Sequence, residues 1–187
     1  MALRETLQAI IAEKSFAMGK EMTLASGKKS NFYFNMKPTM LDPAGADAIA
    51  RLVLERAGGL AVDYVGGLEM GAVPIACSVA VVSHNTGAAL PALIIRKQAK
   101  GHGTQQRIEG VPPGEALRGK TILIVEDVTT TGGSLLDAVK VLRAEGAEVT
   151  HAITIVDRLE GAAQMLAEQG ITLEPLLTAD DFLDTRG

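Results

Sequence analysis

The chain has 187 residues, 47% hydrophobic and 21% charged. These figures describe one globular domain with at most a small appendage, and they exclude a disordered chain. A formal net charge of −4 and an aromatic content of 3% argue against nucleic acid or an anionic membrane as a partner, and leave few platforms for stacking single strands. Cys77 is the single cysteine, so no internal disulfide can form. It sits in an apolar stretch, where a small buried hydrophobe is expected. The N-terminus lacks the apolar core of a signal peptide, and the most apolar stretch, 72–82, contains Pro74 and is too short to span a bilayer. A cytoplasmic location is the expectation.

Residues 3–14 carry apolar side chains at Leu3, Leu7, Ile10 and Ile11, the spacing of a helix. A short strand is expected over 32–36. Asp42 followed by Pro43 reads as an N-cap with proline at the first helical position, and the helix should stop at Gly58-Gly59. From there the pattern alternates: a strand at 63–65, a helix at 72–83 that is apolar nearly all round and so expected to be buried, and a strand at 93–95. A strand at 120–125, a helix at 134–145, a strand at 149–156, a helix at 161–169 and a strand at 171–177 complete the chain. Alternating strands and helices with continuously apolar strands predict an α/β fold, a parallel sheet with helices on both faces. Ligands in such folds sit at the carboxyl ends of the strands.

The strongest signal lies at such an end. Residues 122–134 read ILIVEDVTTTGGS: an apolar strand, the adjacent acids Glu126 and Asp127, a loop of Val128, Thr129, Thr130, Thr131, Gly132 and Gly133, and then Ser134 opening a helix. Backbone N–H groups of such a loop and the positive end of the helix dipole form a phosphate cradle. A Walker A lysine is absent, and so is a GxGxxG fingerprint, since Gly101-His102-Gly103 is followed by Gln106. Two acids before a phosphate cradle point to a sugar phosphate whose hydroxyls bind carboxylates. For an isolated Glu-Asp pair, helix capping would be the simpler explanation.

The whole segment resembles the phosphoribosyl pyrophosphate (PRPP) motif of the type I phosphoribosyltransferases. The resemblance implies that family's fold, with a small N-terminal hood over the base site at about 1–40, all within one domain. It also implies that Glu126 and Asp127 hold the ribose hydroxyls and that the Thr/Gly loop holds the 5′-phosphate.

Residues 96–103, RKQAKGHG, follow a strand, and the stretch from there to Arg118 shows little apolar periodicity. Most basic runs are solvated loops, but a loop this long is often functional. Arg96, Lys97, Lys100 and His102 are similar, residue for residue, to the catalytic loop of the orotate phosphoribosyltransferases. The resemblance implies a flexible loop over about 97–118 that closes on the pyrophosphate of PRPP. It further implies a homodimer in which each loop serves the neighbouring subunit, catalytic roles for Lys100, His102 and Asp127, and Mg²⁺ carried mainly by PRPP and pyrophosphate, with no dedicated protein metal ligand.

The segment 26–35, SGKKSNFYFN, resembles the family's orotate-covering segment, with Tyr33 and Phe34 at positions whose backbone meets the base. Arg158 matches an orotate-binding arginine and Thr130 a threonine that touches orotate. Judged by itself, Asp157-Arg158 could equally be a surface ion pair. Two lysines found in some family members are missing: Ala25 and Gly71 stand in their places. The implied reaction is transfer of the phosphoribosyl group from PRPP to orotate, giving orotidine 5′-monophosphate and pyrophosphate. The alternatives are a phosphoribosyltransferase for another base and a PRPP-sensing regulator; the net charge and the matched loop oppose the regulator.

Overall fold

The computed structural model describes residues 2–23, 29–87, 89–98 and 107–183. In chain order the elements are α1 (Leu3–Lys14), β1 (Phe16–Thr23), β2 (Lys29–Phe34), α2 (Lys37–Met40), α3 (Pro43–Ala57), β3 (Tyr64–Leu68) and α4 (Ala72–Asn85). They continue with β4 (Ala92–Ile95), β5 (Ile108–Glu109), β6 (Ile122–Thr129), α5 (Gly133–Ala144), β7 (His151–Asp157), α6 (Ala162–Ala167), β8 (Thr172–Thr178) and α7 (Asp180–Leu183). The central sheet has the order β5-β4-β3-β6-β7-β8. All neighbours pair in parallel except β5, which runs antiparallel to β4 at the edge. β1 and β2 form a separate antiparallel hairpin, the expected hood.

Strand alternation divides the core into two layers. Leu123 and Val125 of β6 join α1, α3 and α4 on one face, together with Phe34 of the hood and Phe182 of α7. Ile122 and Ile124 face the other way, against Leu135, Ala138, Val139 and Leu142 of α5 and Leu166 of α6. The expected α/β sandwich is therefore present. Asp42 caps α3, its Oδ1 accepting from the N–H groups of Ala44 and Gly45 at 3.0 and 3.1 Å.

Four features differ from the sequence pattern. β1 has no amphipathic period, and its partner β2 rather than its own composition makes it a strand. β6 continues four residues past the expected end because β7 keeps pairing with it, Glu126 to Thr154, Val128 to Val156 and Thr129 to Asp157. β5 lies inside the 97–118 stretch. Finally, Cys77 is exposed, not buried. Only the side of α4 bearing Ala72, Ile75, Ala76, Val79, Val82 and Ser83 is buried. The stripe Met70, Pro74, Cys77, Val81 lies on the outer side, with Met70 65% and Val81 62% exposed. The helix is apolar all round, yet one face is uncovered among the described residues.

Among the described residues no helix is long and apolar enough to cross a membrane.

Gly67, near the end of β3, fixes how closely β6 and α4 approach. A Cβ there would lie 2.3 Å from the Val125 carbonyl oxygen and 2.4 Å from the Ala72 Cβ. Gly67→Ala should lower the melting temperature by about 5 °C or more, in line with overpacking of a tight core. An unchanged melting temperature would show that the strand slides aside without cost.

Candidate active site

The carboxyl end of β6 meets the start of α5 in a cleft of about 230 Å³ lined by Glu126 and residues 128–135. Gly132 takes φ 82°, the left-handed turn that glycine adopts without penalty, and no side chain caps α5. Glu126 and Asp127 therefore do not cap this helix. Its first N–H groups, with Gly133 and Ser134 exposed, are left for an anion. Thr129 Oγ1 is buried without a hydrogen-bond partner among the described residues, a polar atom that a ligand at this point would satisfy.

The acid pair is held by the chain beneath it. Glu126 Oε1 accepts from the Asp127 N–H at 3.1 Å and Asp127 Oδ1 from the Val128 N–H at 2.8 Å. Glu126 is 7% exposed. Burial pushes its carboxyl up to about 8, and the neighbouring Asp127 charge adds to the rise. Its bond from the Asp127 N–H and the Lys97 ammonium pull back against this. The β3–α4 turn presses on the pair: a Cβ at Gly71 would lie 2.7 Å from Asp127 Oδ1 and 3.0 Å from Glu126 Oε1. A lysine at position 71 would require the turn or the acids to move. Among the described residues no group of three or more His, Cys, Asp or Glu could hold a metal; Glu126 and Asp127 are the carboxylates at the cleft.

Arg158 begins the loop after β7, next to the cleft. Its N–H donates to the Thr129 carbonyl at 2.9 Å, which ties the end of β7 to β6. The side chain is buried rather than a surface ion pair: Nε donates to Glu160 Oε1 at 2.8 Å, Nη2 to Ser30 Oγ at 3.0 Å and Nη1 to the Phe32 carbonyl at 3.5 Å. The guanidinium carbon stands 4.2 Å from the centre of the Phe32 ring. The hood is thus docked on Arg158, and a ligand reaching the guanidinium shares it with Ser30 and Glu160. Phe34 packs inward against Phe16 and Phe182, with ring centroids 5.0 and 5.2 Å away, so only its backbone is available to a ligand. Tyr33 is exposed.

Beyond the end of β4, Arg96 is engaged in the β4–β5 hairpin. Its Nη1 meets Glu109 Oε1 at 3.0 Å, its N–H donates to the Arg107 carbonyl and its own carbonyl accepts from Arg107 Nε. The Lys97 N–H donates to Glu69 Oε1 at 3.0 Å. Lys100, His102 and Ala25 lie outside the described residues. The structure thus gathers Glu126, Asp127, residues 128–134 and Arg158 at one end of the sheet, with Lys97 in reach. Ser30, Glu69 and Glu160, which sequence reasoning passed over, contact the expected site residues. Their spacing carried no signal, because each meets its partner through the tertiary fold or across a turn.

Residues 39–171 match the phosphoribosyl transferase domain. An orotate phosphoribosyltransferase of Bradyrhizobium sp. (strain ORS 278) is 50% identical over 182 residues, covering 97% of this chain and 98% of that one. The chain belongs to the orotate phosphoribosyltransferase family. The fold of this family is seen in the Mycobacterium tuberculosis orotate phosphoribosyltransferase in complex with Fe(III) dicitrate, which superposes with a TM-score of 0.82 at 32% identity, over 97% of this chain and 99% of that chain. The same M. tuberculosis enzyme in complex with PRPP gives a TM-score of 0.79 at 30% identity, over the same shares of the two chains.

The raised Glu126 has a sign that can be measured. Its folded value lies above the unfolded one of 4.5, so between about 4.5 and about 8 the folded ligand-free protein holds more protons than the unfolded chain. Its contribution to stability is present in full below 4.5 and is lost as the pH rises through 8. Urea midpoints of the wild type should therefore fall relative to those of Glu126→Gln as pH is raised across this window. A constant gap would mean that Glu126 titrates as an ordinary carboxyl.

Proposed function

We propose that the protein transfers the phosphoribosyl group of PRPP to orotate, giving orotidine 5′-monophosphate and pyrophosphate, a step of pyrimidine nucleotide synthesis. The observation that carries this reading is the cleft itself: paired carboxylates, an uncapped helix N-terminus and a Thr/Gly loop at the carboxyl end of one strand, with Arg158 beside them.

Glu126 and Asp127 accept hydrogen bonds from the ribose hydroxyls and hold the sugar. The N–H groups of residues 131–135 and the hydroxyls of Thr129, Thr130, Thr131 and Ser134 take the 5′-phosphate. Arg158 and Thr130, with the backbone of Tyr33 and Phe34, orient orotate. Arginine suits a planar acid because its fork bonds in the ring plane. In the reaction N1 of orotate forms a bond to C1 of the ribose while the C1–O bond to pyrophosphate breaks. The departing oxygen keeps the electron pair, and the N1 proton passes to solvent. Arg96, Lys97 and Lys100 stabilise the charge gathering on pyrophosphate, and His102 supplies it a proton. Mg²⁺ would be carried mainly by the pyrophosphate and ribose oxygens, which suit a hard cation that keeps few protein ligands, and when bound it would offset the phosphate charge.

Orotate absorbance should fall only with PRPP and Mg²⁺ both present, and Arg158→Ala should raise the KM for orotate by more than that for PRPP. Turnover with uracil or a purine but none with orotate would leave a phosphoribosyltransferase for a different base.

The assembly that fits the site is a homodimer. The resemblance of Arg96, Lys97, Lys100 and His102 to a loop donated across a two-fold axis supports it, as does the uncovered apolar stripe of α4, a surface of the kind that a second copy buries. Lys100→Ala keeps a sound pocket and Asp127→Asn keeps a sound loop, so each alone should be nearly inactive. Refolded together in equal amounts, about half the dimers are mixed, and each mixed dimer holds one intact site, so activity should recover to roughly a quarter of wild type. No recovery with mixed dimers present would place each loop on its own subunit's pocket.

A further inference from the structure

We infer that Glu69 is a positioning residue that sets Lys97 at the pyrophosphate end of the site; the inference rests on the proposed reaction and on the place of Lys97 in it.

β3 and β4 form a parallel ladder. Parallel strands exchange bonds alternately, each residue of one strand bridging two of the other. Here the Val65 N–H donates to the Pro91 carbonyl at 3.0 Å and, four residues on, the Glu69 N–H donates to the Ile95 carbonyl at 2.8 Å. Continued by one more rung, the Lys97 N–H would donate to the backbone carbonyl of Glu69. The chain turns away at this point, toward Gly71 and the start of α4. The Glu69 carboxylate takes the place of the missing carbonyl: its Oε1 accepts from the Lys97 N–H at 3.0 Å. A side chain thus adds a rung beyond the end of the strand.

That rung lies between two parts of the site. On one side, Gly71 of the same turn rests against Asp127 and Glu126, as close as a glycine allows. On the other, Lys97 is the first residue beyond Arg96, which is itself fixed to β5 through the Arg107 carbonyl and Glu109. Arg96 is held by the hairpin and Lys97 by Glu69, so the backbone at 97 is fixed from two directions. Among the influences on Glu126, whose carboxyl burial and Asp127 raise, the Lys97 charge is the last and smallest and draws it downward. An acid at the end of the site that receives pyrophosphate would be unfavourable if it faced the phosphates. Here one oxygen is occupied by the Lys97 N–H, and what the site gains is the direction of a cation. Two residues on from Glu69, where some family members carry a lysine, this chain has Gly71. Lys97, held by Glu69, supplies a positive charge near the same acid pair.

The test uses four variants of the whole protein: Glu69→Ala, Glu69→Gln, Lys97→Ala and the double variant Glu69→Ala/Lys97→Ala. Steady-state constants for both substrates and melting temperatures are measured on each. Loss of one hydrogen bond of ordinary strength predicts a drop of about tenfold in kcat/KM for PRPP in Glu69→Ala, with the KM for orotate and the melting temperature close to wild type. Glu69→Gln keeps an acceptor oxygen and should regain most of the loss. Because Glu69 acts through Lys97, adding Glu69→Ala to Lys97→Ala should cost little more. Equal losses in the Ala and Gln variants, full additivity in the double variant, or no loss in Glu69→Ala while Lys97→Ala is impaired would each overturn the inference and leave the proposed function standing. A Lys97→Ala enzyme with unaltered PRPP constants would remove Lys97 from the site and take this inference with it.

Discussion

The arrangement depends on two carboxyl groups held side by side in a poorly hydrated place. Glu126 is almost completely buried and Asp127 follows it directly. Neither has an arginine or lysine within ion-pairing distance among the described residues. Their partners are their own neighbours' N–H groups. A pair like this is unfavourable for folding when both members are charged, and Glu126 answers by holding its proton to about pH 8. The rest of the sheet sustains it: β7 continues to pair with β6 past the acids, and the turn at Gly71 closes over them. Such strain is common where a protein reserves groups for a ligand. Ribose hydroxyls donate to carboxylates, so on the proposed reaction the sugar would supply further hydrogen bonds to this pair.

Close packing then limits which residues can surround the pair. Gly66, Gly67 and Gly71 each stand where a Cβ would come within about 3 Å of backbone or carboxylate atoms. Gly66 lets β4 lie close to β3, and Gly67 and Gly71 let β6 and the start of α4 approach until the turn touches the acids. The absence of a lysine at position 71 follows from the same closeness, because a side chain there would need the turn to withdraw. Cationic charge must come from residues whose own backbones lie farther off, Lys97 beyond the end of β4 and Arg158 beyond the end of β7.

The sequence made the site's centre legible and left its supports hidden. An apolar run ending in two acids and a Thr/Gly loop is a local pattern, and local patterns survive translation into structure: 122–134 folds as a strand, a turn and a helix start. The alternation that predicted a parallel sheet also held, since the central strands β3, β6 and β7 are buried along most of their length and their apolar runs show it. What escaped depends on partners distant in sequence. The residues of β1 have no period of their own, and only pairing with β2 reveals a strand. Cys77 lies in an apolar helix, and hydropathy could not tell that one side of that helix has no neighbour among the described residues. The contact of Ser30 with Arg158 joins residues 128 apart, and that of Glu69 with Lys97 arises because the chain leaves the ladder at that residue.

A chain of net charge −4 that handles a polyphosphate must attract it locally. Backbone N–H groups do this without adding a charge: the N-terminus of α5 and the loop before it present partial positive charge that is fixed by the fold and needs no counter-ion when empty. Side-chain cations do it at a cost in self-repulsion, and here they are separated. Arg158 is balanced by Glu160 and covered by Phe32, Arg96 is balanced by Glu109, and the Lys97 N–H is held by Glu69. Each described cation of the site therefore has a carboxylate near it before any substrate arrives. Binding a polyanion then becomes an exchange of partners. On the proposed reaction Arg96 would pass from Glu109 to the phosphates and Arg158 from Glu160 to the base, while Glu126 and Asp127, paired with neither, would receive the ribose hydroxyls. In such an exchange the net charge of the chain matters little, and selectivity rests on the substrate offering hydroxyls and phosphates at the spacing that the end of β6 and the start of α5 define.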